Sequence, residues 1–227
     1  LYTETIMNCQ IKYKPTTLAD VIYPNESVRE FINTVARGDL IQNIIFYGPN
    51  GTGKSTVADL LPYAISGESA IVEEKDYSEL LDQKDLKDYL QRQCQLTKLG
   101  DENARYYLVL HEFDNATKNL VKLWTALDSF ADRITLFVTT NNQMAIHQSI
   151  RSRCRCVEFP AISVHSFLPR ATSILANENI AITQAELVKQ LSVVKTGDLR
   201  GYLNQLDDLI ATRKTPIPPK RLQLTVL

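Results

Sequence analysis

The stretch GPNGTGKST, Gly48–Thr56, decides the fold that we expect for this chain. It fits the pattern G-x-x-x-x-G-K-[ST] and stands between the β-rich run NIIFY, residues 43–47, and the helical run TVADLLPYAI, residues 56–65. Glycines let successive backbone N–H groups curl around phosphate oxygens, and the helix that follows adds its dipole. The strand–loop–helix context therefore predicts a nucleotide phosphate-binding loop rather than a chance glycine-rich turn.

Each residue type of this loop has a predicted task. The ammonium group of Lys54 neutralises the β- and γ-phosphates, and the hydroxyl of Ser55 reaches the magnesium ion. The loop residues predicted to bind nucleotide are Gly48, Pro49, Asn50, Gly51, Thr52, Gly53, Lys54, Ser55 and Thr56. A loop of this kind does not by itself reveal what the nucleotide is used for.

Short β-rich runs alternate with helical patterns up to Pro160, which is typical of a parallel α/β sheet. The runs are NIIFY (43–47), AIVEE (70–74), YYLVLHEF (106–113), ITLFVTT (134–140) and CVEF (156–159). After Pro160 the pattern becomes helical over residues 164–179, 183–194 and 198–213. We therefore expect an α/β domain over residues 1–160, a small all-helical domain over 161–213 and a proline-rich tail or linker over 214–227.

Composition excludes several classes of protein. Lys and Arg total 25 against 26 Asp and Glu, so the net charge of −1 gives no overall attraction to nucleic acid or an anionic membrane. No apolar run approaches the roughly 20 residues that span a bilayer, and no signal pattern opens the chain. We expect no membrane contact and a cytoplasmic protein, or a nuclear one in a eukaryote.

The cysteine spacing indicates the redox state of the thiols, and the first residue indicates where the natural protein starts. Cys9, Cys94, Cys154 and Cys156 form no CxxC pair and no metal-ligand spacing, which favours reduced thiols. Because residue 1 is leucine, we expect the natural start of the protein to lie upstream.

Separated stretches along the chain resemble the AAA+ ATPases, specifically the ATPase subunits of sliding-clamp loaders of the replication factor C small-subunit and T4-like phage types. Besides the P-loop, they are KYKPTTLADVIYPN (12–25), LVLHEFD (108–114), VTTNN (138–142), RSRC (151–154) and TGDLRGYLNQL (196–206). The resemblance implies an AAA+ P-loop fold, with a five-stranded parallel sheet flanked by helices and a helical lid. The family's C-terminal helical collar is absent, so we expect either a truncated sequence or a minimal relative.

The resemblance also implies roles for individual residues. Val21, Ile22 and Tyr23 would help to enclose the adenine of ATP. Glu112 would polarise the attacking water, and Asp114 would keep the last acidic position near Mg²⁺.

The resemblance implies functional roles for three further polar residues, and for each of them an ordinary structural role is the alternative. Asn141 would be sensor 1, but it could instead cap the end of its strand or the next helix. Arg153 would reach the γ-phosphate of the neighbouring subunit, but runs of arginine are usually solvated. Arg200 would lie over the nucleotide of its own subunit as sensor 2, or be one more surface cation.

His111 departs from the family pattern, because it stands where the first Walker B carboxylate is expected. Magnesium prefers hard oxygen ligands, and imidazole is a poor substitute. Slow but real hydrolysis, ATP binding without turnover, and an altered site in which Ser55 and water carry the metal are the three explanations, of which we favour the first. HEFDN (111–115) lacks the second histidine of a zinc-binding helix, so the sequence predicts no zinc role for His111.

A contact with DNA is less visible in the sequence. On the helical stretch 84–96, Lys84, Lys87 and Arg92 fall opposite the apolar positions, on a surface suited to phosphates. The neighbouring Asp85 and Asp88 favour an ordinary solvated face instead.

The expected function is that of an ATP-driven clamp-loader subunit. The resemblance implies a hetero- or homo-oligomer of clamp-loader subunits, a pentamer in the family, with a sliding clamp and primer-template DNA as partners. A regulatory or structural AAA+ subunit with little hydrolysis remains the alternative. Another AAA+ motor, such as a helicase loader or branch-migration ATPase, fits less well with the stretch Ser152–Cys154, which resembles the S-R-C signature of clamp loaders.

Overall fold

A parallel sheet forms the centre of the molecule. The computed structural model of the chain describes residues 8–76, 85–100, 104–113 and 120–214. Within them a five-stranded sheet has the order β2-β3-β4-β1-β5, with neighbours running parallel. The strands are β1 Ile44–Tyr47, β2 Ile71–Asp76, β3 Tyr106–His111, β4 Ile134–Thr140 and β5 Arg155–Glu158. The predicted α/β fold with a five-stranded parallel sheet is confirmed.

Helices precede the sheet, alternate with its strands to cover both faces, and follow it in the chain. They are α1 Cys9–Lys12, α2 Glu26–Ala36, α3 Lys54–Ser66, α4 Leu86–Gly100, α5 Leu120–Ser129, α6 Gln148–Arg151, α7 Val164–Asn177, α8 Gln184–Leu191 and α9 Leu199–Lys214. Several begin at capping side chains, because the first N–H groups of a helix lack partners within it. The side chains of Asn25, Ser163 and Thr183 accept hydrogen bonds from the N–H groups of Val28, Ser166 and Glu186, respectively.

Burial explains why the central strands are apolar. Every residue of β4 is buried, whereas the edge strand β2 has only exposed and half-buried positions. On one face the sheet packs against α4 and α5 through residues such as Leu90 and Leu123, and on the other against α2 and α3 through Ile32 and Leu61. A sheet covered on both faces favours continuous apolar strands over alternating ones.

The helices after the sheet form a core of their own. Leu168, Ile174, Leu187 and Leu206 join α7, α8 and α9 in one apolar cluster. Cys9 of α1 belongs to the same cluster, although α1 precedes the sheet in the chain. The segment before the sheet therefore packs on the helices that follow it.

Several sequence expectations extend beyond what the structure describes. The domain limits at 160 and 213 stay a prediction, and the tail from residue 215 onward lies outside the described residues. Among the helices in the described ranges, no helix has both the length and the apolar character needed to cross a membrane.

Candidate nucleotide-binding site

The stretch Gly48–Thr56 runs from the carboxyl end of β1 through a loop into the first turn of α3, and β1 lies between β4 and β5. Two of its glycines are required by the backbone. At Gly48 φ is +138°, and an added Cβ would lie 2.2 Å from the carbonyl oxygen of Phe159. At Gly53, the N-cap of α3, φ is +93°. Ligands of open parallel sheets bind outside the carboxyl ends of the strands, where this loop lies.

Lys54 is directed back into the loop. Its side chain is almost fully buried, and its Nζ donates to the carbonyl oxygens of Gly48 at 2.8 Å and Pro49 at 2.6 Å. A third hydrogen bond, 3.2 Å long, goes to Oδ1 of Asn141. The ammonium group is thereby held against the backbone of the predicted phosphate loop and beside the predicted sensor 1 residue.

Asn141 follows the last residue of β4, and the structure bears on the capping role considered for it. The turn Gln143–Ala145 is capped by the next residue, because the side chain of Asn142 accepts a hydrogen bond from the N–H of Met144. Asn141 instead contacts Lys54. Asn142 is thus the capping residue, which leaves Asn141 directed towards the loop.

A cavity of about 300 Å³ lies above this loop, between the sheet and the helices α7 and α9. The predicted residues that line it are Val21, Ile22, Asn50, Gly51, Thr52, Gly53, Lys54, Ser55, Thr56, Glu112, Asn141 and Arg200. Apolar lining from Val21 and Ile22 faces polar lining from the loop, as adenine and phosphate would require. Most of the nucleotide site predicted from separate stretches is therefore brought to one cavity.

Of the described residues predicted for the nucleotide site, those that do not line the cavity are Tyr23, Gly48, Pro49 and Arg153. Gly48 and Pro49 contribute carbonyl oxygens to Lys54 instead. Tyr23 packs with the α2–α3 core, and its hydroxyl donates to the carbonyl oxygen of Leu18 at 3.0 Å. Burial raises the pKa of Tyr23 to about 12, so this hydroxyl stays protonated.

Arg153 lies at the surface, away from its own chain's cavity. Its Nε donates to Oδ1 of Asp128 and its Nη2 donates to Oδ2, each at 2.8 Å. Its Nη1 donates to the carbonyl oxygen of Ser149 at 2.9 Å. The guanidinium lowers the pKa of Asp128 by hydrogen bonding. In this position Arg153 contacts Asp128 and Ser149 and does not line the cavity of its own chain.

Glu112 lies at the end of β3 in a conformation that is unusual for its residue type. Its φ is +51°, in the left-handed region that non-glycine residues seldom adopt. Its exposed side chain lines the cavity. Strained backbone of this kind is concentrated at functional sites. Asp114, two residues later, lies outside the described residues.

His111 does not itself line the cavity, and its imidazole lies between Asp59 of α3 and Thr139 of β4, of which Thr139 lines the cavity. Its Nε2 lies 3.1 Å from Oδ1 of Asp59, and its Nδ1 lies 3.3 Å from Oγ1 of Thr139. The adjacent Asp59 carboxylate raises the pKa of His111 most, burial opposes this, and the charges of Glu74 and Asp76 add to the increase. The imidazole therefore has a partner that the sequence did not indicate.

Sequence reasoning missed part of the cavity lining. Lys14, Arg170 and Leu203 line it, and the Arg170 Nη2 also donates to the carbonyl oxygen of Tyr13 at 3.0 Å. Lys14 lies within the stretch 12–25 that had already been singled out. Nothing in the sequence indicated that Arg170 lines the cavity, because an arginine on α7 cannot be distinguished in sequence from an ordinary surface cation.

The surface predicted for DNA is only partly described. Lys87, Asp88 and Arg92 are exposed on α4, and so is Asp85, which precedes the helix. Lys84 lies outside the described residues. The exposed face thus carries both signs of charge, and the DNA contact stays a prediction.

Comparison with known proteins agrees with this geometry. Residues 44–161, just over half of the chain, match the model of the ATPase family associated with various cellular activities (AAA). The sliding-clamp-loader large subunit of Escherichia phage RB69 is 29% identical over 206 residues, covering 86% of this chain and 62% of the relative. The replication factor C small subunit of Methanoregula boonei is 26% identical, covering 91% of this chain and 65% of the relative.

Solved structures agree on the fold. A RuvB mutant of Thermotoga maritima superposes with a TM-score of 0.68 at 17% identity, covering 89% of this chain and 68% of that one. At this identity the likeness concerns the fold alone. The chain spans about three fifths of the length of the curated relatives it matches. On the family match, the chain belongs to the AAA family of ATPases.

Proposed function

We propose that this chain is an ATP-binding and slowly hydrolysing subunit of a sliding-clamp loader. The observation that carries the proposal is the single cavity in which the loop residues, Glu112, Asn141 and Arg200 meet. Phosphoryl transfer depends on positioning and charge stabilisation more than on covalent chemistry, and these side chains provide both. The curated relatives bear the names of clamp-loader and replication factor C subunits, which supports the choice among ATPases.

Each residue has a defined task in this proposal. Lys54 holds the β- and γ-phosphates, and Asn141, which already contacts the lysine, orients the ammonium group and the attacking water. Glu112 accepts a hydrogen bond from that water, and Arg200 stabilises the charge that develops on the γ-phosphate. Arg153 does the same for the nucleotide of the next subunit.

The residues present also fit a magnesium ion. Ser55 is exposed on the first turn of α3 and lines the cavity, so its hydroxyl is available as an oxygen ligand. Bound Mg²⁺ would supply charge neutralisation to the phosphates. Asp114 is the proposed second residue near the ion.

The proposed partners are further clamp-loader subunits, a sliding clamp and primer-template DNA. Arg153, held at the surface by Asp128, supports an assembly in which neighbouring subunits share an active site. Exposed Lys87 and Arg92 supply the proposed DNA contact.

A second candidate is an ATP-binding regulatory subunit that hardly hydrolyses. The pairing of His111 with Asp59 favours it, because the residue at the Walker B position then serves a contact outside the cavity. Steady-state ATPase activity with and without primed DNA and the cognate clamp separates the two. Stimulation by both supports the clamp loader, and ATP binding with no turnover in either condition supports the regulatory subunit.

The binding step is tested by Lys54→Ala. Lys54 contributes charge to phosphate, so the variant should lose measurable affinity for a fluorescent ATP analogue while its circular dichroism spectrum is retained. Lys87→Ala, which removes an exposed lysine of α4, is the matched control and should bind normally. If Lys54→Ala bound the ATP analogue as tightly as the wild type does, the proposed nucleotide-binding site would be wrong.

A further inference from the structure

Three side chains that are far apart in sequence meet behind the nucleotide loop. Asp59 comes from α3, Glu74 from β2 and His111 from β3, and one ligand atom from each lies within 4.8 Å of the others. We propose that this cluster binds a divalent transition-metal ion of the zinc type, at a site separate from the nucleotide and its magnesium. None of the three residues lines the nucleotide cavity.

The distances suit a shared ion. The Nε2 of His111 and the Oδ1 of Asp59 are 3.1 Å apart. Two such atoms bound to one tetrahedral zinc, each at about 2.1 Å, are separated by roughly 3.4 Å. A displacement of a few tenths of an ångström would therefore admit the ion between them.

The second nitrogen of the imidazole is already held. Its Nδ1 lies 3.3 Å from Oγ1 of Thr139, a buried residue of β4. Histidines that bind metals almost always hydrogen-bond through the other ring nitrogen, which fixes the tautomer and the ring orientation. With a proton on Nδ1, the lone pair of Nε2 faces Asp59 and Glu74.

An independent observation concerns Asp59. Its Oδ1 atom is buried and has no hydrogen-bond partner among the described residues. The approach of His111 at 3.1 Å is therefore close enough for charge interaction but lacks hydrogen-bond alignment. A buried acceptor without a donor is costly, and a bound cation would satisfy it.

The set of donor atoms indicates the class of metal. One imidazole nitrogen and two carboxylates suit zinc, cobalt or nickel, whereas magnesium prefers oxygen ligands and avoids imidazole. Glu74 is exposed, which leaves a side open for entry of the ion and for water as a further ligand. The ion would join β2, β3 and α3 directly behind the phosphate loop.

The test uses the full chain freed of metal and nucleotide, and is therefore independent of the proposed ATPase function. Isothermal titration with zinc chloride should give one ion per chain, and millimolar magnesium should leave the zinc affinity unchanged. We expect at least a tenfold loss of affinity in His111→Ala and in Glu74→Gln. His165→Ala, which removes an exposed histidine of α7, should bind as the wild type does.

Cobalt provides a second readout that reports ligand type. Bound Co²⁺ should show visible absorption without a thiolate charge-transfer band, because none of the cysteines belongs to the cluster. Because Glu74 is exposed, Glu74→Gln remains informative even if His111→Ala fails to fold. No zinc binding by the wild type, a thiolate band, or unchanged affinity in Glu74→Gln would each overturn the proposal.

Discussion

The backbone N–H of Leu199 donates a 2.8 Å hydrogen bond to the carbonyl oxygen of Gly51. This bond joins the tip of the phosphate loop to the first residue of α9, the helix that also carries Arg200. The loop and the helical layer are therefore in direct contact through their backbones. A change in the position of α9 should therefore be transmitted to the loop residues that we propose to hold phosphate.

Replacing Gly51 by alanine tests this contact. At Gly51 φ is +72°, and a Cβ would lie 2.8 Å from Cβ of Asp198, the residue before α9. The left-handed conformation alone costs an alanine about 1–2 kcal/mol, and the clash should additionally separate loop and helix. We expect ATP affinity to fall about tenfold, which corresponds to 1.4 kcal/mol.

Gly38→Ala is the matched control for that experiment. Its φ is +76°, but an added Cβ would meet no atom within 4 Å. Urea denaturation should therefore show a similar loss of stability from backbone strain in both variants, with normal ATP binding only in Gly38→Ala. Equal ATP affinities in the two variants would argue against the loop–helix coupling.

Local patterns predicted most of the fold and many of the residues that line the candidate cavity. The β-rich runs and the glycine–lysine loop depend on residues that are neighbours in sequence, and the structure has each where the pattern indicated. Contacts between distant residues had no local signal. Asp59 and His111 are brought together only by the packing of α3 on the sheet, and Cys9 meets Asp207 only because α1 folds across to α9.

The α1–α9 contact predicts an unreactive thiol. Burial, followed by the hydrogen bond and charge of Asp207, raises the pKa of Cys9 from 9.0 to about 12. The thiol is protonated in both states below pH 9, and the stability that it contributes is lost as the pH rises from 9 towards 12. Alkylation of Cys9 at pH 8 should be on the order of a thousandfold slower than in denaturant, because the thiolate is the nucleophile.

Mass spectrometry of the Cys9 peptide measures that rate. Asp207→Ala removes the acceptor of the Cys9 backbone N–H, which is 2.9 Å away, and should accelerate alkylation by loosening α1. Asp208→Ala removes an exposed neighbour on the same helix and should not. If the two variants react at the same rate, the α1–α9 contact does not protect the thiol.

The position of Arg153 predicts complementation between subunits. The Arg153→Ala variant has an intact Glu112 in its own site. The Glu112→Gln variant has an intact Arg153, which would contact the site of its neighbour. In an equal mixture about a quarter of the interfaces should combine an intact glutamate with an intact arginine, if the assembly is cyclic and random. ATPase activity of the mixture should then exceed that of either variant alone.

Co-purification of differently tagged subunits must first establish that the variants assemble together. Arg29→Ala, which removes an exposed arginine of α2, is the control and should retain wild-type activity by itself. A co-assembled mixture no more active than its components would leave the trans role of Arg153 without support.

His111→Asp is expected to increase the rate of turnover and to lower the magnesium concentration needed for half-maximal rate. Aspartate restores an oxygen ligand at the end of β3, and each 1.36 kcal/mol of recovered transition-state stabilisation raises the rate about tenfold. The nearby Asp59 carboxylate, freed from the imidazole that now lies 3.1 Å away, adds negative charge that also favours the cation.

His111→Asn separates these two effects, because it also frees Asp59 but restores no charge at position 111. ATPase rates against magnesium should rank His111→Asp above His111→Asn, and His111→Asn close to the wild type. Equal gains in both variants would attribute the effect to loss of the imidazole–Asp59 pair. No gain in His111→Asp would mean that the histidine does not limit hydrolysis, and the regulatory function would then be the better description of this subunit.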